Sequence, residues 1–168
     1  STATATATRT PPATNTPAAA GPVRIAILGD SFYDEYQGTD NRGGAYHAWT
    51  FNGTELMARL GRFDLGAWGN WGGSRRTGYE YNWAVSGAQS NSIVGQANSA
   101  APQFRAGLVD YAFIGIGAND FSPYSGPIYS DIYNGVLAGA ALQGKIDAAI
   151  QNVTTAVDVL KAADAQGV

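Results

Sequence analysis

An α/β fold built on a parallel sheet is what this sequence predicts, and two observations predict it. Short apolar runs alternate with segments of helical periodicity along the chain. Each apolar run also ends in small or hydrogen-bonding residues, at the edge where such sheets hold their sites.

The elements follow in order. The apolar residues Ile25 to Leu28, within RIAILGDSF, predict a buried strand over Val23–Leu28. WTFNGTELMARL predicts a helix over Trp49–Leu60, stopped at Gly61. The aromatic stretch Tyr79–Val85 reads as a second short strand. Asn91–Phe104 is a weaker helical pattern, and LVDYAFIGI predicts a third buried strand over Leu108–Ile116. Ser130–Ala165 carries a long helical pattern, expected in two pieces broken near Gly139 or Gly144.

Length and composition bound the function. A chain of 168 residues is about one domain, and 45% hydrophobic residues suit a globular core. A net charge of −3 argues against nucleic acid or an anionic membrane as partner. With no cysteine there is no disulfide framework, and no apolar run reaches the roughly 18 residues of a membrane span. Residues 1–22, STATATATRTPPATNTPAAAGP, offer no large apolar side chain to bury. They predict a disordered linker, either a glycosylated stalk of a secreted protein or a plain tail, with a folded domain over 23–168.

The chemistry-bearing residues lie after the predicted strands: Ser31 after the first, Ser86-Gly87 after the second, Gly117 to Asp120 after the third. A serine at the start of a helix has backbone N–H groups and the helix dipole to favour a developing anion. Gly87 lets a backbone N–H approach a substrate, and Asn119 can present a side-chain amide. One serine with three converging donors makes an oxyanion hole for acyl transfer. Singly these are ordinary turn residues; in step on three strands they read as a site.

GDS at Gly29 to Ser31, SGAQS at Ser86 to Ser90 and GIGAND at Gly115 to Asp120 together resemble the three ordered blocks of the SGNH hydrolases, or GDSL esterases and lipases. The resemblance runs from about Val23 to the end of the chain. It implies a flavodoxin-like three-layer α/β/α sandwich and ester hydrolysis with no cofactor and no metal. It implies Ser31 as nucleophile and first oxyanion donor, Gly87 as the second and Asn119 as the third.

One part of the family pattern is missing. Its general base is a histidine in a C-terminal DxxH block, whereas the single histidine here is His47. The expectation is therefore a domain cut short after its third strand and following helix, with the base beyond Val168. Such a chain would be inactive or nearly so, because a serine without a base is a weak nucleophile. His47 reads as a surface or substrate-contact residue.

Three further stretches admit more than one reading. Asp34, Glu35 and Asp40 are read as a solvated loop rather than a metal site. Trp68, Trp71, Trp83, Tyr79 and Tyr81, among glycines, suit either a sugar-binding or acyl-binding rim or a cover for the core. A dinucleotide site is disfavoured, since Asp120 stands where GxGxxG needs its third glycine. Together with the resemblance, the sequence points to a secreted or surface-attached serine esterase acting on a short acyl ester or an acetylated carbohydrate. Its rival is an inactive carbohydrate-binding or surface-interaction module on a stalk.

Overall fold

The computed structural model describes residues 21–164; the linker expected over 1–22 lies outside them except for Gly21 and Pro22, which are exposed. Strand β1 (Val23–Gly29) is central, flanked in parallel by β2 (Phe63–Asp64) and β5 (Tyr111–Gly115), in the order β2-β1-β5. Side chains alternate across β1. Ala26 and Leu28 point into a core with Ile93, Ala97, Ala101 and Phe104, while Ile25 and Ile27 join Leu65 and Ala84 on the other face. Both faces are covered, which is why the run carries no polar alternation.

On the Leu28 face lie α2 (Ile93–Arg105) and α4 (Gly139–Asp164). Ala97, Ala100 and Ala101 of α2 and Ala156 and Ala163 of α4 are all buried in that core. Their small side chains allow close helix packing. Burying Leu28 fully contributes roughly 2–3 kcal/mol. On the opposite face α1 (Gly53–Arg59) packs by β2. The result is the expected α/β/α arrangement. At the sheet edge, β5 leaves Tyr111 60% and Phe113 40% exposed.

Several boundaries differ from the sequence reading, each for a local reason. Helix α1 begins at Gly53, not Trp49. Asn52 caps it, accepting from the Glu55 N–H at 2.9 Å, while Glu55 Oε2 accepts from the Asn52 N–H at 2.6 Å. The expected second strand is divided. Its first residue, Tyr79, ends an antiparallel hairpin of β3 (Trp68–Asn70) with β4 (Thr77–Tyr79), and a turn closed by the Asn82 N–H on the Tyr79 carbonyl follows. Residues 81–85 then run beside β1, with Tyr81, Trp83 and Val85 bonding to Ile27 and Gly29. The expected third strand shortens to β5. The long helical pattern does break at Gly139, between α3 (Ile128–Tyr133) and α4, where φ is +55°. Gly144 lies inside α4.

Candidate active site

Asp30 shapes the turn that follows β1. It is buried, its Oδ1 accepts from the Phe32 N–H at 3.0 Å, and its carbonyl accepts from the N–H groups of Tyr33 and Asp34, each at 3.0 Å. Ser31 sits on this turn, half-buried, and its carbonyl accepts from Arg42 Nη1 at 2.7 Å. Two glycines make room beside it. A Cβ at Gly29 would stand 2.4 Å from the Gly115 carbonyl oxygen, and one at Gly115 2.1 Å from the Tyr33 ring. Gly29 and Gly115 are register partners, so Tyr33 packs where two side chains are absent.

The second loop is tied to the first. The Val85 N–H donates to the Gly29 carbonyl at 3.1 Å, and the Ser86 N–H to Asp34 Oδ2 at 2.7 Å. Gly87 follows with φ +83° and open space around its Cα. That left-handed conformation suits glycine, and the missing side chain leaves its backbone exposed.

The third loop is bound to the second by a ladder of side chains. Asn119 Nδ2 donates to the Ala88 carbonyl at 2.9 Å, and Gln89 Nε2 to the Asn119 carbonyl at 3.1 Å. The Asp120 carboxylate accepts from both the Ser90 N–H (2.8 Å) and the Ser90 hydroxyl (2.6 Å). Asn152 of α4 donates to that hydroxyl at 3.1 Å. Thus Ser31, Gly87 and Asn119 stand on three adjoining loops at the carboxyl edge of the sheet. One amide hydrogen of Asn119 is committed to Ala88, leaving the second on the same nitrogen.

A cleft of about 550 Å³ opens beside Gly87, lined also by Arg75, Trp83, Ser86, Gln96 and Ser99. Ser31 and Asn119 are not among its lining residues. His47 occupies a short helical turn, with its Nδ1 2.9 Å from the Gly44 carbonyl.

The acidic loop is a correction: Asp34 and Glu35 are not solvated but buried, each only 2% exposed. They fasten the β3–β4 hairpin to the turn after β1. Arg76 Nη2 donates to Asp34 at 2.7 Å and the Tyr79 N–H to Glu35 at 2.7 Å, while exposed Asp40 accepts from Thr77. Burial raises the Asp34 carboxyl above its ordinary range despite Ser86 and Arg76. Burial pushes Glu35 up to about 7, with the nearby Asp34 charge adding to it. Among the described residues, no three His, Cys, Asp or Glu side chains gather as a metal site would require.

Residues 25–163 match the family described as GDSL-like Lipase/Acylhydrolase. The chain belongs to that family. Neither the curated proteins nor the solved structures provide a match. This GDSL-family chain is thus a hydrolase by family, on an α/β fold with a parallel sheet.

The sequence reading did not find Gln96, Arg75 or the Asp120–Ser90 clamp. Gln96 had a signal: it stands inside the apolar stripe 93, 96, 97, 100, 101, 104, where a polar residue needs a buried partner. Arg75 had none, since its setting depends on a hairpin that periodicity does not show.

Proposed function

We propose that this chain carries the nucleophile and oxyanion donors of a serine esterase, in which Ser31, once a base takes its proton, attacks the carbonyl of a short acyl ester or an acetylated carbohydrate. The Ser31 and Gly87 N–H groups and the second Asn119 amide hydrogen receive the developing oxyanion, and water then hydrolyses the acyl-enzyme. The observation that carries this reading is the hydrogen-bonded junction of the three loops, Gly29 to Val85, Ser86 to Asp34 and Asn119 to Ala88. Donors held by such a network need little reorganisation as charge develops. Membership of the GDSL-like family supports the reaction class. The Thr/Pro-rich residues 1–22 support a secreted or surface-attached setting.

His47 is read as a surface or substrate-contact residue, and its Nδ1 lies 2.9 Å from the Gly44 carbonyl of its own turn. The rival reading, a module that holds a glycan without cleaving it, is favoured by the exposure of Trp68 and Trp71, 42% and 37%. A fluorophosphonate probe with added imidazole, which supplies a proton acceptor, separates the two. An adduct mapped by mass spectrometry to Ser31 supports the esterase. No adduct, or one on Ser86 or Ser90 with Ser31 unmodified, overturns it.

A further inference from the structure

Arg75 has an unusual position for a guanidinium. It closes a short helical turn, Gly73–Arg75, within the β3–β4 hairpin. Its Cζ lies 3.9 Å from the Trp83 ring centroid and 5.1 Å from that of Trp71. Its Nε donates to the Asn82 carbonyl at 3.3 Å, and Nη2 donates to the carbonyls of Tyr79, at 2.9 Å, and Glu80. Three of its five N–H groups are thereby spent on neutral backbone oxygens along one edge. Among the described residues, Arg75 has neither a carboxylate partner within salt-bridge distance nor an acceptor for Nη1. Burial lowers its pKa, and only the more distant charges of Glu35 and Glu80 oppose that. A guanidinium nonetheless stays charged at neutral pH.

This cation lines the cleft that also takes in Gly87. The other polar walls are Ser86, Ser92, Ser99 and Gln96, none of them acidic, while Trp83 gives an apolar wall. Gln96 is committed elsewhere, to both backbone groups of Gly29. The chemistry in the cleft is thus one fixed cation with two N–H groups on Nη1, serine hydroxyls and the part of the Trp83 indole that Arg75 does not cover.

We infer that the cleft binds a carboxylate-bearing ligand, its carboxylate on Arg75 Nη1 and its apolar part against Trp83. This rests on the esterase reading only in naming that ligand as part of an ester substrate. An N–H of Nη1 can make a charge-assisted hydrogen bond to one carboxylate oxygen, and the serine hydroxyls of the cleft can donate to the other. A phosphate dianion would need more donors and would feel Glu35 and Glu80 more strongly. The aromatic faces hold the guanidinium plane in place, so little side-chain freedom is lost on binding.

The test compares two non-hydrolysable probes of similar shape, 4-acetamidobenzoate and acetanilide, by isothermal calorimetry and tryptophan fluorescence. The acid binds about tenfold tighter or better, the worth of a charge-assisted hydrogen bond. Arg75→Gln brings the acid down to the level of acetanilide. Arg75 also holds three carbonyls, so Ser99→Glu serves as a second variant. It puts a carboxylate into the cleft from an exposed position on α2 and abolishes the preference with the hairpin intact. Equal binding of the two probes to the unaltered chain, or a preference that survives both substitutions, overturns the inference. The fluorophosphonate result is independent. A preference for the acid without a Ser31 adduct leaves the anion site standing and removes the esterase; an adduct without a preference does the reverse.

Discussion

Gln96 embraces the backbone of Gly29: its Oε1 accepts from the Gly29 N–H at 2.7 Å and its Nε2 donates to the Gly29 carbonyl at 2.9 Å. The strand reaches its last residue with both polar groups satisfied by a helix, two positions before Ser31. Gln96→Leu leaves the buried Gly29 N–H without this acceptor, a loss of about 1–3 kcal/mol. Urea denaturation of both proteins measures it. A change below about 0.5 kcal/mol, the size of an ordinary surface substitution, would mean that water replaces the amide.

Gly115→Ala is the second prediction. Its new Cβ meets the Tyr33 ring at 2.1 Å, and that ring already lies 4.8 Å from the Phe113 centroid, so it cannot simply retreat toward β5. Overpacking of this kind costs about 1–3 kcal/mol. The cost falls in a Tyr33→Leu background, because the smaller side chain yields. Additive effects of the two substitutions in a double-mutant cycle would show that Tyr33 is not the obstacle.

The third concerns pH. The Glu35 carboxyl is raised from 4.5 to about 7 by burial. The unfolded chain therefore ionises first as pH rises, and stability is fully present below about 4.5 and lost as pH climbs through about 7. The shift corresponds to about 3 kcal/mol. Asp34, also raised, contributes with the same sign. Glu35→Gln keeps an oxygen to accept from Tyr79 and removes the titration, so the variant gains on the parent between pH 5 and pH 8. Parallel stability profiles for the two proteins over that range would contradict the assignment.

What was legible in the sequence was the part governed by local patterning. β1 shows as an apolar run, α2 as an apolar stripe, and the break before α4 as Gly139. Gly29, Asp30 and Ser31 show as the end of that strand and the turn after it. The hairpin was not legible, because its strands are only three residues each and what anchors it, Arg76 on Asp34 and Tyr79 on Glu35, comes from far away in sequence. Trp68 sits edge-on to Tyr79 at 5.0 Å, and Arg76 adopts φ +57° while reaching back to Asp34. The burial of Asp34 and Glu35 was hidden for the same reason. Two adjacent acids look solvated until the N–H groups that they accept from, those of Ser86 and Tyr79, are brought to them across about fifty residues of chain.

The last prediction concerns Ser31 and its proton. A serine hydroxyl has almost no anion at neutral pH and needs a neighbour to accept its proton before it can attack an ester. The single histidine of the chain is His47, and its Nδ1 faces the Gly44 carbonyl of its own turn. Loss of one member of a catalytic triad removes several orders of magnitude in rate, even with the oxyanion donors intact. The unaltered chain is therefore expected to turn over p-nitrophenyl acetate no faster than Ser31→Ala, with His47→Ala indistinguishable from both. Imidazole in the buffer should then raise the rate of the unaltered chain and of His47→Ala above that of Ser31→Ala, because the missing function is proton acceptance and the donors at Gly87 and Asn119 remain. A Ser31-dependent rate without imidazole that vanishes in His47→Ala would make His47 the base. An imidazole-dependent rate equal in all three proteins would mean that Ser31 is not the nucleophile.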